Sequence, residues 1–325
     1  MKASYVAVMV SVGLLCACEL HAQTAATGAG PAYPTKPVHM FTSEAGGGND
    51  MLARTIAQGL TGAMGQAVVI ENRVVIQSIE AVAKAQPDGH TLLLAANTLW
   101  ILPYMQATIT WDVQRDFVPI TLAVITPNVL VVHPSLPVKT VKDLITLAKA
   151  RPGVLNYSAG AAGASQHFAA ELFKAMARVD IVRISYKGGG PATNALLSGE
   201  VQLAFGNASA VMPHVKSGRV RGLAVTGAQT SALAPGLPTV ASSGLPGYES
   251  VTLPGIFAPA KTSPAIINRL NQEIVLVLKR EDVRERLLRA GAEAVGTTQE
   301  QFSAAIKSDM STVGKLIKEA NIRAE

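Results

Sequence analysis

The sequence has few charged side chains. Only 15% of its 325 residues are Asp, Glu, Lys or Arg, whereas soluble proteins average about 25%. Because 49% of the chain is hydrophobic, the composition excludes a disordered protein, which needs high charge and low hydrophobicity. Glycine and proline, at 28 and 18 residues, stay near their usual frequencies, which excludes collagen-like and low-complexity chains. The composition predicts a folded protein of about two domains.

Aromatic residues are also scarce, at 5% of the chain. The formal net charge is +6, which suits either an anionic ligand or nucleic acid. The densest basic run, 279–289, also contains acidic side chains and is typical of a solvated helix face. No ribbon of alternating aromatic and basic residues suited to base stacking is present. We therefore predict no nucleic-acid partner.

Cysteine is nearly missing, and both copies, Cys16 and Cys18, lie close to the start of the chain. Lys2 precedes an apolar run over 5–17, which is shorter than the roughly 20 residues of a bilayer span. A polar, glycine-rich stretch follows, which argues against a buried N-terminal helix. We interpret residues 1–22 as an export signal peptide, which predicts a periplasmic protein.

Removal of the signal peptide leaves a chain without cysteine. Such a chain has no disulfide, no thiolate catalyst and no cysteine metal site. The alternative is a lipoprotein anchored at Cys18, since Leu15-Cys16-Ala17-Cys18 partly resembles a lipobox. We rank plain secretion ahead of lipid anchoring.

After Tyr33, short apolar runs alternate with helical patterns, which is typical of an α/β fold. The strand predicted at 38–42 precedes a glycine-rich stretch and a helix with Leu52, Ile56, Leu60 and Met64 on one face. A second, similar series begins at Thr140, so the chain has two α/β halves followed by helix-rich material. Further strands are predicted at 68–70, 91–95, 128–133, 155–158, 181–184, 201–205, 222–226 and 251–258. Further helices are predicted at 79–85, 140–150 and 165–177, and from Gly188, Ser263 and Thr297, the last with Glu300 in a capping box.

Glycine-rich segments precede three of the predicted helices, at 46–50, 160–165 and 188–191, the last with Pro191 suited to the first helical position. Backbone N–H groups and the positive end of the helix dipole make such a segment a cradle for an anion. The alternative for the first segment is a tight turn with Asp50 as the helix N-cap. Three such helix starts, spread over both halves, favour a ligand cleft between the halves.

Catalytic and metal-binding motifs are missing. The chain contains neither H-E-x-x-H nor G-x-S-x-G. Ser165 and His167 are two residues apart on a predicted helix and so lie on different faces. We predict no enzyme, no cofactor and no metal.

The ordered set of motifs resembles the Bug/TctC family, the extracytoplasmic solute receptors of tripartite tricarboxylate transporters. The resemblance runs from about residue 33 to 325. The matching segments are Tyr33-Pro34-Thr35-Lys36-Pro37, 46–50, Glu71-Asn72-Arg73, 81–85, Pro87-Asp88-Gly89, 127–132, 165–167, 171–174, Tyr186-Lys187-Gly188, 223–227, 237–240, 244–248 and 257–260.

The resemblance implies a two-lobed periplasmic binding protein, type II-like, with two crossing hinge segments. It places residues 33–128 and 252–325 in lobe 1 and residues 129–251 in lobe 2. It implies a small organic carboxylate in the cleft and the permease subunits of a tripartite transporter as membrane partners. The ligand-binding residues that it implies are Ser43, Gly46, Gly47, Gly48, Asn97, Thr98, Ser158, Gly163, Ser165, Tyr186 and Asn207.

Three positions depart from the family pattern. Glu44 would repel a carboxylate if it faced the cleft. Where the family has a glycine-rich loop, this chain has the β-branched run 74–79, which disfavours the positive φ angles of such a loop. Either the pocket differs or a local reading-frame error altered the sequence. Gly206 stands where many members carry Asp, which argues mildly against an amino-acid ligand.

The function predicted from the sequence is a receptor that closes two lobes around a small organic acid by a hinge motion. The altered run 74–79 keeps an alternative open, a sensory or interaction protein that signals to a sensor ectodomain. A hydrolase on the same fold is a further alternative, ranked below both.

Overall fold

The computed structural model describes residues 33–160 and 164–319. The predictions for the signal peptide and for Gly163 lie outside these residues. The strands are β1 Val38–Thr42, β2 Val68–Asn72, β3 Thr91–Ala95, β4 Phe117–Leu122, β5 Val124–Val132, β6 Asn156–Ala159, β7 Val182–Ser185, β8 Leu203–Asn207, β9 Arg221–Val225, β10 Val251–Thr252, β11 Gly255–Pro259 and β12 Glu293–Ala294. The helices are α1 Gly48–Met64, α2 Val75–Ala83, α3 Thr98–Met105, α4 Val113–Asp116, α5 Val141–Ala150, α6 Ser165–Ala177, α7 Gly189–Ser198, α8 Ala208–Lys216, α9 Pro264–Lys279, α10 Glu281–Arg289 and α11 Gln299–Glu319.

Two sheets organise the described residues. The first has the strand order β2-β1-β3-β11-β4, with β1 parallel to β2 and β3 and with β11 antiparallel to β3 and β4. The second has the order β10-β5-β8-β6-β7, and β9 and β12 also pair with β5. In both sheets, helices follow the parallel strands along the chain. The carboxyl ends of these strands therefore lie at the same edge of the sheet as the starts of the helices that follow them.

The chain passes between the sheets twice. Strand β4 belongs to the first sheet and β5 to the second, while β10 belongs to the second and β11 to the first. The two passages touch, because the backbone N–H groups of Ala123 and Val124 donate to the carbonyl oxygen of Pro254 at 3.0 and 3.3 Å. Helices α9 and α11 then contact β4 in the first sheet, so the C-terminal helices return to the first half.

Each sheet is packed around aromatic side chains. In the first, the ring of Phe257 lies 6.4 Å from Trp100 and 5.1 Å from Phe302. In the second, the ring of Phe173 lies 5.6 Å from Phe205 and 6.4 Å from Tyr248. These rings are fully buried, and such pairs add about 0.5–1.5 kcal/mol each beyond their area burial.

Several sequence predictions are confirmed with their local chemistry. The apolar side chains Leu52, Ile56, Leu60 and Met64 of α1 are all buried. Thr140 caps α5, and Asp143 completes a capping box, as the side-chain oxygens at those spacings allow.

The helix predicted at 79–85 begins and ends earlier in the chain than expected, at Val75 and Ala83. Helix α2 begins at Val75, and the hydroxyl of Ser78 donates to the carbonyl oxygen of Thr42 at 2.7 Å. The only non-glycine residues with positive φ among those described are Arg178 and Lys261. The β-branched run therefore does not strain a family-type loop, because it forms the first turn of a helix against β1.

Other local predictions need correction. Residues 251–258 form two strands in different sheets, with Pro254 between them. The capping pair of α11 is Thr298 with Gln301, whose side chains and backbone N–H groups bond reciprocally at 3.2 and 3.0 Å, and not Thr297 with Glu300. Pro191 is the third residue of α7, not the first.

Candidate functional site

The first-half glycine segment is held by a buried carboxylate. Helix α1 has Gly47 as N-cap, and no side chain caps it, so the alternative of Asp50 as N-cap is wrong. Instead, Asp50 accepts hydrogen bonds from Gly46 N, Asn72 Nδ2 and Arg54 Nε, each at 2.9 Å. Burial opposes ionisation of Asp50, but these bonds outweigh it and lower the pKa of its carboxyl. Asp50 therefore holds the glycine segment in place through Gly46, while no side chain caps the first backbone N–H groups of α1.

The second half presents two further open helix ends. Helix α6 begins at Ser165 after Ala164, and α8 begins after Asn207, and neither has a side-chain cap. The buried side chain of Gln166 accepts a hydrogen bond from Gly160 N at 3.2 Å, which ties the end of β6 to the start of α6.

These three helix ends meet at one cavity of about 370 Å³, which we call the larger cavity. Its lining includes the predicted residues Ser43, Gly48, Ser165 and Asn207. Its remaining lining residues are Asn49, Met51, Leu52, Val124, Thr126, Ser209, Thr252, Pro254, Ala290, Gly291 and Ala292. None of these lining side chains is ionisable, so the polar groups available to a ligand are hydroxyls, amides and backbone N–H groups.

A second cavity of about 90 Å³ adjoins the first, and Ser165 and Thr252 line both. We call it the smaller cavity. The predicted residues Asn97 and Thr98 line it, at the start of α3, which also lacks a side-chain cap. The other lining residues are Ala96, Ile101, Phe168, Ser250, Val251, Asp309 and Val313.

Asn97 has a structural role within this wall. Its Nδ2 donates to the carbonyl oxygen of Val251 at 3.2 Å and to Asp309 Oδ2 at 2.8 Å, and its Oδ1 accepts from Leu253 N at 2.6 Å. The Asn97 amide therefore joins α3 to the second passage between the sheets and to α11.

The remaining predicted residues that the structure describes lie outside both linings. Gly46 and Gly47 belong to the segment before α1 without lining either cavity. Ser158 is buried in β6. The Tyr186 hydroxyl donates to Glu200 Oε1 at 2.8 Å, and partial burial together with that carboxylate raises the pKa of Tyr186 to about 12. Their role in binding stays a prediction.

Two of the departures from the family pattern, Glu44 and Gly206, lie outside both cavity linings. Glu44 is exposed and lines neither cavity. A Cβ atom added at Gly206 would overlap the side chain of Val211, so an Asp at this position would need Val211 to move.

The sequence reasoning missed Asp309, Thr252 and Ser209. Asp309 accepts from Trp100 Nε1 at 2.7 Å as well as from Asn97. Burial raises the pKa of the Asp309 carboxyl against the opposing effect of these two bonds. Among the described residues that line the two cavities, Asp309 has the only ionisable side chain.

The described residues contain no group of three or more His, Cys, Asp or Glu side chains that could hold a metal ion. No helix in this part of the chain has both the length and the apolar composition needed to cross a membrane. His167 is buried and lines neither cavity, and burial and the charge of Arg183 lower its pKa to about 4.

The profile of the tripartite tricarboxylate transporter family receptor, TctC, matches residues 52–322. The chain belongs to this family. Protein BugT of Bordetella pertussis is 33% identical over 90% of this chain and 91% of its own length. The family's receptors are periplasmic solute-binding proteins.

Two solved structures of similar proteins contain carboxylates. Rpa4515 of R. palustris, with adipate, is 34% identical with a TM-score of 0.72, and the match covers 90% of this chain and 99% of that protein. MatC of Rhodopseudomonas palustris, with bound malate, is 25% identical with a TM-score of 0.68, and the match covers 88% of this chain and 100% of that protein. A TctC solute-binding protein from Polaromonas has a TM-score of 0.81 at 24% identity, over 88% of this chain and 99% of its own. The two-lobed periplasmic binding fold of this TctC-family protein is thereby confirmed.

Proposed function

We propose that this TctC-family protein binds a small organic carboxylate in the larger cavity and delivers it to the permease subunits of a tripartite transporter. The observation that carries the proposal is the meeting of three uncapped helix N-termini, those of α1, α6 and α8, at one cavity whose described lining has no ionisable side chain. The adipate and malate held by the similar proteins support the same ligand class.

A carboxylate supplies the hydrogen-bond acceptors that the backbone N–H groups at these helix ends lack. The first backbone N–H groups of a helix have no partner within the helix, and the helix dipole gives that end about half a positive charge. Elsewhere in the described chain, Asp112, Thr140 and Ser263 fill this role for α4, α5 and α9 with their own side chains. Helices α2, α7 and α10 also lack a side-chain cap, but their first residues line neither cavity. At the cavity, the acceptor oxygens must come from a ligand or from water. Ser43, Ser165 and Thr252 add hydroxyl donors.

The two passages between the sheets suit a hinge. Each passage is a single segment of chain, and hydrogen bonds from Ala123 and Val124 to Pro254 join the two. Val124, Thr252 and Pro254 belong to these passages and line the larger cavity. A ligand that contacts both halves binds the closed form more tightly and so drives closure. We propose that the lobes divide near the predicted boundaries, at 128 and 252, and that residues 1–22 are the export signal.

We also propose that the protein is a receptor without catalytic activity. Ser165 is the candidate nucleophile at the cavity, but the nearest histidine in sequence, His167, is buried away from the cavity lining. The run 74–79, which kept the sensory alternative open, forms the start of helix α2 and lines neither cavity.

Calorimetric titration with aliphatic and aromatic carboxylates tests the proposal. We expect at least one acid to bind, and Ser165→Ala to weaken its binding about 10- to 150-fold, the range for a hydrogen bond to a charged group. The control is Ser198→Ala. Ser198 lies on α7, its hydroxyl donates to Ala195 O at 3.0 Å, and it lines neither cavity. Folded protein that binds no acid, or equal affinities for the two variants, would contradict the proposal.

A further inference from the structure

The smaller cavity contains an acidic group that a simple carboxylate receptor does not need. Asp309 reaches it from α11, and both hydrogen bonds that Asp309 accepts, from Trp100 Nε1 and Asn97 Nδ2, go to Oδ2. Among the described residues, no hydrogen bond to Oδ1 accompanies them. Because Asp309 lines the cavity, this second oxygen is available to a ligand there.

The ionisable side chains at and beside the smaller cavity are acidic, while the start of α3 adds the positive end of a helix dipole to the same wall. Burial raises the pKa of the Glu249 carboxyl, and the nearby charge of Asp309 raises it further. No Lys, Arg or His is among the described residues that line the cavity. A second ligand carboxylate placed here would meet like charge in a partly desolvated site, whereas a protonated amine would meet opposite charge.

The walls of the smaller cavity suit a short aliphatic arm. Ile101, Phe168 and Val313 supply apolar surface, and Thr98 and Ser250 supply hydroxyls. The volume of about 90 Å³ admits an amine with only a few methylene groups. Ser165 and Thr252 connect this space with the larger cavity, so that one small molecule can occupy both.

We propose that the smaller cavity binds the protonated amine of an amino carboxylate whose carboxylate group lies in the larger cavity, and that Asp309 determines this specificity. The inference rests on the proposed function, because the larger cavity must hold the carboxylate. It replaces the expectation drawn from Gly206, since an acidic partner for an amine comes from α11 instead of β8.

Length-matched ligand pairs test the inference. Calorimetry would compare unbranched ω-amino acids of three to six carbons with the dicarboxylates of equal chain length, and with the monocarboxylates that lack the amine. The full protein should bind one ω-amino acid at least tenfold more tightly than both matched acids, the gain expected of one charge-assisted hydrogen bond. Asp309→Asn, which keeps the shape and the acceptor for Trp100, should abolish that preference.

Two variants separate charge from packing. Thr312→Val, at an exposed position of α11 that lines neither cavity, changes the same helix but not its charge and should leave the preference for the amine unchanged. Glu249→Gln removes the second acidic group and leaves the bonds from Trp100 and Asn97 to Asp309 in place. It should reduce the preference for the amine, as Asp309→Asn does. The test therefore remains valid if Asp309→Asn does not fold.

The outcomes distinguish the two proposals. If monocarboxylates bind but the amine adds nothing, or if a dicarboxylate binds best and Asp309→Asn does not change this order, the inference about the smaller cavity is overturned. If no carboxylate of any kind binds to folded protein, the proposed function itself fails.

Discussion

Asp50→Asn tests whether the buried carboxylate holds the first-half helix end in its binding geometry. In the protein, Asp50 Oδ2 accepts from Gly46 N, while Oδ1 accepts from Asn72 Nδ2 and Arg54 Nε. An asparagine has a single acceptor oxygen, so one of its two ends must present an NH₂ group to a donor. The smaller loss occurs when the oxygen stays toward Asn72 and the bond to Gly46 is broken.

The magnitude follows from these contacts. The side chain of Arg54 is 56% exposed, so its ion pair contributes at most about 1 kcal/mol. The broken bond from Gly46 to a charged acceptor in a buried position contributes about 1.5–3 kcal/mol. We expect Asp50→Asn to lower the free energy of unfolding by about 3 kcal/mol, which is a fall in melting temperature of at least about 5 °C.

The dependence on pH has a definite sign. The pKa of Asp50 in the folded protein is below its ordinary value of 3.8, so its stabilisation is complete above that value and is lost as the pH falls through the folded pKa. The difference in melting temperature between the protein and Asp50→Asn should therefore be largest at neutral pH and shrink in acid.

The assay combines thermal melts with carboxylate titration. The matched control is Asp143→Asn, which removes an exposed carboxylate from the capping box of α5 at a position that lines neither cavity. Both variants should melt earlier, but only Asp50→Asn should also bind ligand more weakly, because only it releases Gly46. Unchanged ligand affinity in Asp50→Asn would refute the claim that this carboxylate shapes the site.

Three further predictions concern stability. The protein should lose stability as the pH falls from 6.5 toward 4, because burial lowers the pKa of His167 to about 4 and the unfolded chain takes up the proton first; His167→Gln should flatten melting temperature against pH in that window. Gly255→Ala should cost about 1–3 kcal/mol in a denaturant melt, because its Cβ would overlap the Phe302 ring and lie 2.8 Å from Thr121 O. Gly62→Ala, a helical position with nothing within 4 Å of the new Cβ, should stabilise the protein by about 0.5–1 kcal/mol in the same melt.

Local patterns were enough to predict much of the fold. The strand β1 and the spacing of Leu52, Ile56, Leu60 and Met64 in α1 depend on neighbours in sequence, and so does the Thr140 cap. Residues 251–258 divide into two strands because β10 pairs with β5 and β11 pairs with β3 and β4. These partners are distant in sequence, so the local pattern could not predict the division.

The helix at 75–83 shows how tertiary contacts override propensity. Val75 and Ile76 are weak helix formers, and the apolar pattern placed the start of this helix later, at Ile79. The bond from Ser78 to Thr42 and the burial of Ile79 and Val82 against the first sheet stabilise the helix instead.

The candidate site was predicted in part, for a similar reason. Gly48 and Ser165 begin helices, so the sequence marked them as open helix ends. Asp309 is 212 residues from Asn97 and lies on a helix with many polar residues, where a single carboxylate is typical of a solvated face. Only the packing of α11 beside α3 brings it to the smaller cavity.

The most direct test of the central claim measures the backbone N–H groups at the helix ends. In protein labelled with ¹⁵N at glycine and serine, addition of a bound carboxylate should move the amide proton signals of Gly48, Ser165 and Ser209 downfield, because each lies at the start of an uncapped helix at the larger cavity. The amide of Ser303, in the separate groove between α4 and α11, should not move. A carboxylate that binds while the signals of Gly48, Ser165 and Ser209 stay in place would contradict the account.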